Sequence, residues 1–584
     1  MKRTSPNMNY AWSELMIREL VRLGVDTFYV CPGSRSSPLA ISAAEFGKLM
    51  VVHFDERGAA FAALGHARAT GRPSVIITTS GSAVANLWPA VCEASNDGVP
   101  LILLTADRPP ELRDTGSNQT MDQVKYFGSY ARWYVDMPCP DTKISPAFVL
   151  STVDYAFHRA MSPLAGPVHL NQMFREPLAP VAEQDSADAW LKQVGKWWKS
   201  RSPWTQYTDT RLSPGINEIQ RIKLKLAKAR RGVIIAGAVS GTDDSRAISK
   251  FAEKLGWPLI PDIRSGLRLK PGADVIIQMA DQILLSDKFR RAVAPDVIVH
   301  LGGRITSKRI QQFISQSSAD YVLIHDQSTR MDPDHRVTCR ITATLPAILN
   351  RLATDKRGAS SWLRKWVIVN NAVQLKWRSI AEKATELSEP GVAHIVARSI
   401  PAGHRLALAS SMPIRDMDMY GLSEADAGIV ASNRGVSGID GNIASAIGFA
   451  CGAKSPVTLI IGDLAFLHDM NSLAMLKSSP YPVTIIVVNN NGGGIFSFLP
   501  IASAPRHYET CFGTPHGMEF AEVAAMHDVN YAHISTGKEF KSLYREFADS
   551  GRHGIIEVRT DRADNVKLHR TVQAQLKKTA DDAC

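Results

Sequence analysis

No stretch of this chain reaches the roughly 18 uncharged apolar residues that a membrane-spanning helix needs, so integral membrane association is not expected. Its seven cysteines, at 31, 92, 139, 339, 451, 511 and 584, are scattered, odd in number and free of any CxxC pair. Neither a disulfide framework nor a zinc site is indicated, and reduced, mostly buried thiols are expected. A long Lys/Arg block is also missing. The 67 Lys and Arg against 56 Asp and Glu give a net charge of +11 that is spread thinly, so no nucleic-acid partner is expected. Ser82, in TSGSA, lacks a GxSxG elbow, which disfavours a hydrolase. GVIIAGAVSGTDD, starting at Gly232, is only a loose glycine-rich turn rather than GxGxxG, and no dinucleotide is expected there. The start MKRTSPNMNYAW has no apolar core like that of a signal peptide, and a cytoplasmic protein is expected.

What is present is enough sequence for several cores: 584 residues, 45% of them hydrophobic. Short β-rich runs, TFYVC at Thr27, MVVHF at Met50, SVIITT at Ser74 and LILLT at Leu101, alternate with Ala-rich helical patterns, the rhythm of a parallel sheet. The rhythm returns in RRGVIIAG, DVIVHLGGR and YVLIHD, and again in RLALASSM, VTLIIGDL and VTIIVVNN. The expected fold class is therefore α/β, with three doubly wound parallel-sheet domains. The boundaries expected are a first domain over 1–185, a linker over 186–220, a central domain over 221–355, a helical connector over 356–388 and a last domain over 389–584. In the linker, WLKQVGKWWKSRSPW interleaves Trp190, Trp197, Trp198 and Trp204 with lysines. This suits a segment pinned to its domain by tryptophans, its lysines left in water, better than a nucleic-acid stacking platform.

The most informative pattern lies near the far end. Gly462-Asp463-Leu464 is followed by HDMNSLAMLKSSP, which looks helical, then by the apolar run VTIIVV and by Asn490-Asn491-Gly492. Asp463 and Asn490 then fall at the carboxyl ends of neighbouring strands, where a doubly wound sheet opens its ligand crevice. A carboxylate, a side-chain amide and the Gly492 carbonyl are the hard oxygen donors that Mg²⁺ takes when it also binds a diphosphate. That spacing is the thiamine diphosphate motif. Near the start, MVVHFDERGAAFAALG runs from strand to helix with Glu56 at the junction. Thiamine enzymes need a carboxylic acid there against the cofactor's pyrimidine ring. His53, beside it, is expected to be a packed core residue rather than a base.

CPGSRSSPLA, HFDERGAAFAALG, TSGSAVANLWPAV, LTADRPPEL, GSNQTMDQ, SNRGVSGIDG and VVNNNGGGIFSFLP together closely resemble the MenD family, the 2-succinyl-5-enolpyruvyl-6-hydroxy-3-cyclohexene-1-carboxylate synthases of menaquinone and phylloquinone biosynthesis. ADRPPEL with SNRGVSGIDG is the specific combination. Leu464 stands where many thiamine enzymes carry Gly, a departure this family tolerates. The resemblance implies a pyrimidine-binding first domain, a non-catalytic middle domain and a diphosphate-binding last domain. It also implies a homodimer or homotetramer with active sites between subunits. The cofactors implied are thiamine diphosphate and Mg²⁺ or Mn²⁺. The reaction implied is decarboxylation of 2-oxoglutarate and 1,4-addition of the succinyl-semialdehyde carbanion equivalent to isochorismate.

Carried over residue by residue, Arg35, Arg108, Asn118, Gln119 and Lys308 fall where the family binds isochorismate, and Ser411, Arg415 and Arg434 where it holds the succinyl carboxylate. Glu56 faces the pyrimidine. Ile439 is the apolar wedge under the cofactor, and Ile495, Phe496 and Leu499 line the apolar wall. Gly462, Asp463, Leu464, Asn490, Gly492 and Gly493 surround the diphosphate, with Asp463, Asn490 and Gly492 on the metal. Two dicarboxylate substrates require several cations, which accounts for part of the net charge. An acetolactate-synthase-like decarboxylase or carboligase is the alternative, disfavoured because small neutral acceptors would not need Arg35, Arg108, Arg415 and Arg434. A cofactor-binding regulator with a dead site is disfavoured by intact Glu56, Asp463 and Asn490.

Overall fold

The computed structural model describes residues 5–183, 187–208, 212–270, 272–353, 360–422, 424 and 426–584. Three sheets form, and every strand pair in them is parallel. The first contains β1 (Thr27–Val30), β2 (Leu49–Val52), β3 (Ser74–Thr78), β4 (Leu101–Asp107), β5 (Trp133–Met137) and β6 (Pro167–Met173) in the order 2-1-3-4-6-5. The second has β7 (Gly232–Ala236), β8 (Leu259–Pro261), β9 (Val297–Leu301), β10 (Asp320–His325) and β11 (Cys339–Thr342) in the order 11-10-9-7-8. The third has β12 (Arg405–Leu408), β13 (Val457–Gly462), β14 (Val483–Asn489), β15 (Asn530–Ile534) and β16 (Gly554–Arg559) in the order 12-13-14-16-15. Central strands such as SVIIT, LILLTAD and VTIIVVN are buried throughout, because helices cover both faces of a parallel sheet and select continuous β-branched runs over alternation. The α/β class with three parallel sheets is as the sequence predicts.

The chain divides into two compact units. One comprises Met1–Thr210, Asn433–Lys454 and His468–Pro480. Its core gathers Trp12, Trp190 and Trp197, with Trp12 stacked on Trp190 at 5.7 Å, while Lys192, Lys196 and Lys199 remain exposed. In the same unit the helix Glu56–Thr70 meets the helix Asn442–Ala453 through small residues. A Cβ on Gly448 would lie 1.8 Å from the Ala62 carbonyl oxygen, and one on Gly65 would lie 2.0 Å from that of Ser445.

The other unit comprises Arg211–Ser432, Ser455–Leu467 and Tyr481–Cys584, and so holds the second and third sheets. Arg268, fully buried, ties the two sheet regions together by donating to the carbonyls of Asp418 (2.7 Å) and Gly421 (2.7 Å). Trp377, on the helix Ser361–Lys383, donates to the Tyr420 carbonyl at 2.8 Å.

One local expectation fails. HDMNSLAMLKSSP does not continue as an α-helix: the helix Asp463–Asp469 gives way to a 3₁₀ stretch, Met470–Ser478. The break falls at Asp469, at φ −126° and ψ 14°. Its carboxylate is committed elsewhere, accepting the N–H groups of Ile443 (2.7 Å) and Ala444 (3.0 Å) at the start of another helix.

Candidate active site

β13 and β14 pair in register, Gly462 opposite Val488, so the residues that follow both strands emerge side by side. Asp463 opens a helix with its side chain only 3% exposed. One carboxylate oxygen accepts the Leu464 N–H (2.7 Å); the other accepts the Gly492 N–H (2.8 Å) and the Nε2–H of His516 (3.2 Å). The His516 tautomer follows from its other nitrogen, Nδ1, which accepts the Met518 N–H at 3.0 Å. Asn490 donates from Nδ2 to Glu389 Oε1 at 2.9 Å, which leaves its buried Oδ1 with no donor. Glu389 is buried beside Asp416, and burial is the main cause that pushes its carboxyl up to about 7.

Glycine is required at 492, where φ is +130° and a Cβ would lie 1.9 Å from the Gly513 carbonyl oxygen. Gly462 is different: its φ is not left-handed and a Cβ there would meet nothing within 4 Å. A glycine demanded neither by backbone nor by packing leaves open space for a ligand to approach the chain. At these neighbouring strand ends the groups on offer, the orphaned Asn490 Oδ1, the Asp463 carboxylate and the Gly492 carbonyl, are all oxygen donors. No group of three His, Cys, Asp or Glu competes with them among the described residues. Such a set fits Mg²⁺ held jointly with a diphosphate.

In the same unit Ser411, after β12, adopts φ +79° and ψ −131°. Gly81, after β3, makes the same turn at φ +80° and ψ −141° without a side chain. A serine held there costs of order 1–3 kcal/mol, the kind of strain that concentrates at functional turns. Arg415, one turn on and half-buried, donates from Nη1 to the Ser411 carbonyl, and burial pushes its guanidinium down. Lys308 is exposed at the first position of the helix Lys308–Ser315, capped by Ser307. Ile495 and Phe496 lie on the 3₁₀ turn Gly494–Phe498, with Phe496 against Phe512 at 5.5 Å; Leu499 is exposed just beyond.

The first unit holds the other candidates. Asp55 caps the helix Glu56–Thr70 by accepting from Arg57 (2.9 Å) and Gly58 (3.3 Å), which leaves Glu56 half-buried with Oε2 accepting from Asn86 Nδ2 at 3.2 Å. Arg35 donates to the Phe174 carbonyl (2.9 Å) and pairs with Glu176 (3.3 Å). Arg108 donates to Ser80 Oγ, and Ser80 and Gln119 are clipped together by reciprocal bonds of 3.0 and 3.1 Å. Burial, and then the charge of Arg35, push the Arg108 guanidinium down, so the two cations share one region. Asn118, exposed, precedes Gln119 in this loop. Arg434 is half-buried and Ile439 exposed in the segment that leads to the helix Asn442–Ala453. His53 is buried with Nε2 unpartnered, its pKa pushed down by burial, as suits a packed neutral residue. Ser82 is exposed and hydrogen-bonds to no histidine among the described residues. Sequence reasoning missed Ser80, Glu93, Glu389 and His516; only Ser80 and His516 stand near recognisable signals, TSG and TPHG.

Models of known families match three consecutive regions: the thiamine pyrophosphate enzyme N-terminal TPP binding domain over residues 11–126, the middle domain of thiamine pyrophosphate over 188–408, and the thiamine pyrophosphate enzyme C-terminal TPP binding domain over 424–558. A protein of Rubrobacter xylanophilus named 2-succinyl-5-enolpyruvyl-6-hydroxy-3-cyclohexene-1-carboxylate synthase is 45% identical over 98% of this chain and 99% of its own. Proteins of the same name from Salinibacter ruber and Prosthecochloris aestuarii are each 42% identical, covering 99% and 97% of this chain and 98% and 97% of theirs. With strand-end oxygen donors, a helix-start glutamate and full-length similarity in agreement, the chain belongs to the 2-succinyl-5-enolpyruvyl-6-hydroxy-3-cyclohexene-1-carboxylate synthase family of thiamine diphosphate enzymes.

Proposed function

We propose that Asp463, Asn490 and the Gly492 carbonyl hold Mg²⁺ or Mn²⁺ with the diphosphate of thiamine diphosphate. Glu56 then holds the proton on the pyrimidine, and two cation groups receive the two substrates. The chain is a thiamine diphosphate-dependent enzyme. It decarboxylates 2-oxoglutarate and adds the four-carbon succinyl-semialdehyde unit 1,4 to isochorismate, releasing CO₂. The carboxyl next to the ketone leaves as CO₂, and the former ketone carbon bonds to the conjugated ring carbon. When bound, the cofactor supplies the carbanion chemistry and the electron sink for decarboxylation. The observation that carries the site assignment is the buried, unpartnered Asn490 Oδ1 at the end of β14, the strand paired with the one that leads into Asp463.

Arg35 and Arg108, with Asn118, Gln119 and Lys308, bind isochorismate; Ser411, Arg415 and Arg434 grip the distal carboxylate of 2-oxoglutarate. Ile439 wedges the cofactor, while Gly462, Leu464, Gly493, Ile495, Phe496 and Leu499 wall it. Domain limits of 1–185, 186–220, 221–355, 356–388 and 389–584 accompany this assignment. So does a cytoplasmic homodimer or homotetramer with active sites between subunits. The absence, among the described residues, of a helix long and apolar enough to cross a membrane is compatible with it.

The test has three steps: titrate the apoprotein with thiamine diphosphate and Mg²⁺, assay with 2-oxoglutarate alone, then add isochorismate. Saturable, metal-dependent cofactor binding and CO₂ release accelerated by isochorismate are expected. Turnover of pyruvate at the same rate would favour the acetolactate-synthase-like alternative.

A further inference from the structure

An asparagine amide is nearly symmetric in shape, but only its oxygen can bind a cation. Turned by 180°, Asn490 would offer an NH₂ group to the metal. What decides the orientation is the partner on the other side, and that partner is Glu389 Oε1, 2.9 Å from Asn490 Nδ2. Oε1 also receives the Thr560 hydroxyl, so it serves as an acceptor at this contact, and a flipped amide would set oxygen against oxygen.

Glu389 is itself held. It is the first residue of the helix Glu389–Ser399, whose cap Ser388 accepts the Gly391 N–H at 3.2 Å, and a helix N-terminus favours a carboxylate. Thr560 Oγ1 donates to the same Oε1 at 3.3 Å. Buried carboxylates are costly, and an apolar side chain of similar volume is often as good for stability. The neighbouring Asp416 makes this one costlier still.

We propose that Glu389 is a positioning residue for the metal site: by accepting from Asn490 Nδ2, it fixes the amide with its oxygen toward the divalent cation. This rests on the reading of Asp463, Asn490 and Gly492 as the cation ligands.

Two substitutions separate orientation from bulk. Glu389→Gln keeps an acceptor oxygen, which the Thr560 hydroxyl holds at the Oε1 position, and should leave the Asn490 amide as it is. Glu389→Met keeps the volume and removes every acceptor. Mg²⁺ is titrated into each apoprotein at saturating thiamine diphosphate, followed by tryptophan fluorescence, with the thermal midpoint of the apoprotein recorded beside it. Outer-sphere partners typically govern about 10- to 100-fold in metal affinity, so Glu389→Met should weaken Mg²⁺ by that amount and Glu389→Gln by less than about threefold. Adding Asn490→Asp to Glu389→Met should restore much of the loss, because a carboxylate offers oxygen whichever way it turns.

A purely structural glutamate would lower the thermal midpoint and leave Mg²⁺ affinity alone; that result overturns the proposal. If Glu389→Met does not fold, Glu389→Ala is read by the same titration. Asp463→Asn is the control. If Asp463→Asn weakens Mg²⁺ while the acceptor-free variant does not, the role of Glu389 falls and the metal site stands. If Asp463→Asn is also without effect, the ligand assignment itself is wrong.

Discussion

Glu93 accepts the backbone N–H groups of Gly435 (2.7 Å) and Val436 (2.7 Å), so a buried carboxylate on the helix Trp88–Asp97 fixes the loop that carries Arg434. Burial and then Asp97 push its carboxyl up, and Arg68 beside it counters them. Glu93→Gln would turn an NH₂ toward one of the two N–H groups, leaving a buried donor unpaired at about 1–3 kcal/mol. The expected outcome is a KM for 2-oxoglutarate raised about tenfold, the equivalent of 1.4 kcal/mol, with the KM for isochorismate unchanged. Steady-state kinetics in both substrates check this; equal rises in both would mean a general loss of structure.

Glu56→Gln should fold and bind cofactor almost as before, since Asn86 can still donate to the amide oxygen. It cannot supply the acidic proton, and turnover should fall by at least about 100-fold. Comparing kcat with cofactor affinity measured in the same preparation tests the split, and near-normal kcat would remove Glu56 from the mechanism.

Asp463→Asn acts through the metal. A neutral ligand weakens Mg²⁺ and with it the diphosphate anchor, so activity should be partly recovered at high Mg²⁺ and cofactor. An unchanged apparent cofactor affinity would refute the assignment.

Arg415→Ala and Arg108→Ala should fail in opposite halves of the reaction. Loss of a charge-assisted bond to the succinyl carboxylate, worth roughly 1.5–3 kcal/mol, lowers kcat/KM for 2-oxoglutarate about ten- to a hundredfold in Arg415→Ala. Arg108→Ala leaves the Ser80–Gln119 clip in place and should spare decarboxylation while depressing capture of isochorismate. CO₂ release measured without isochorismate distinguishes the two, and the reverse pattern would exchange the two pockets.

The first unit should also carry a pH signature. Burial, with the Glu19 carboxylate beside it, pushes Asp154 up to about 8. With its folded value raised above the ordinary carboxylate range of about 4, the folded state holds a proton that the unfolded state has lost. Its stabilising contribution is complete below about pH 4 and lost progressively as pH rises to about 8. Asp154→Asn keeps the acceptor for the Thr205 N–H, 2.6 Å away in the native chain, and cannot ionise. Thermal midpoints between pH 5 and 8.5 should therefore decline less in this variant than in the parent.

The strands and the ends of β13 and β14 were legible because the chemistry there is local. A β-branched run, a turn residue and an Asp or Asn follow one another directly. Glu389 and Glu93 were not, since each acts on a group 101 or 342 residues away and reads locally as nothing more than a helix residue. His516, in the TPHG loop, also acts at long range, on Asp463 53 residues away, so its turn signal gave its place but not its partner. HDMNSLAMLKSSP misled because its apolar spacing is helical, whereas the course of the backbone is set by Asp469 capping a distant helix.

The glycine-lined helix Asn442–Ala453 packs into the first unit, yet it is encoded beyond Arg211–Ser432. During synthesis, the Ala- and Gly-rich face of the helix Glu56–Thr70 therefore waits uncovered until a large part of the second unit has left the ribosome. Contacts that span so much chain close slowly, and such intermediates expose apolar surface. The segment Met1–Thr210 carries its own core but lacks this cover: expressed alone it should be prone to aggregate, and its solubility should improve when a chain carrying Asn433–Pro480 is supplied alongside.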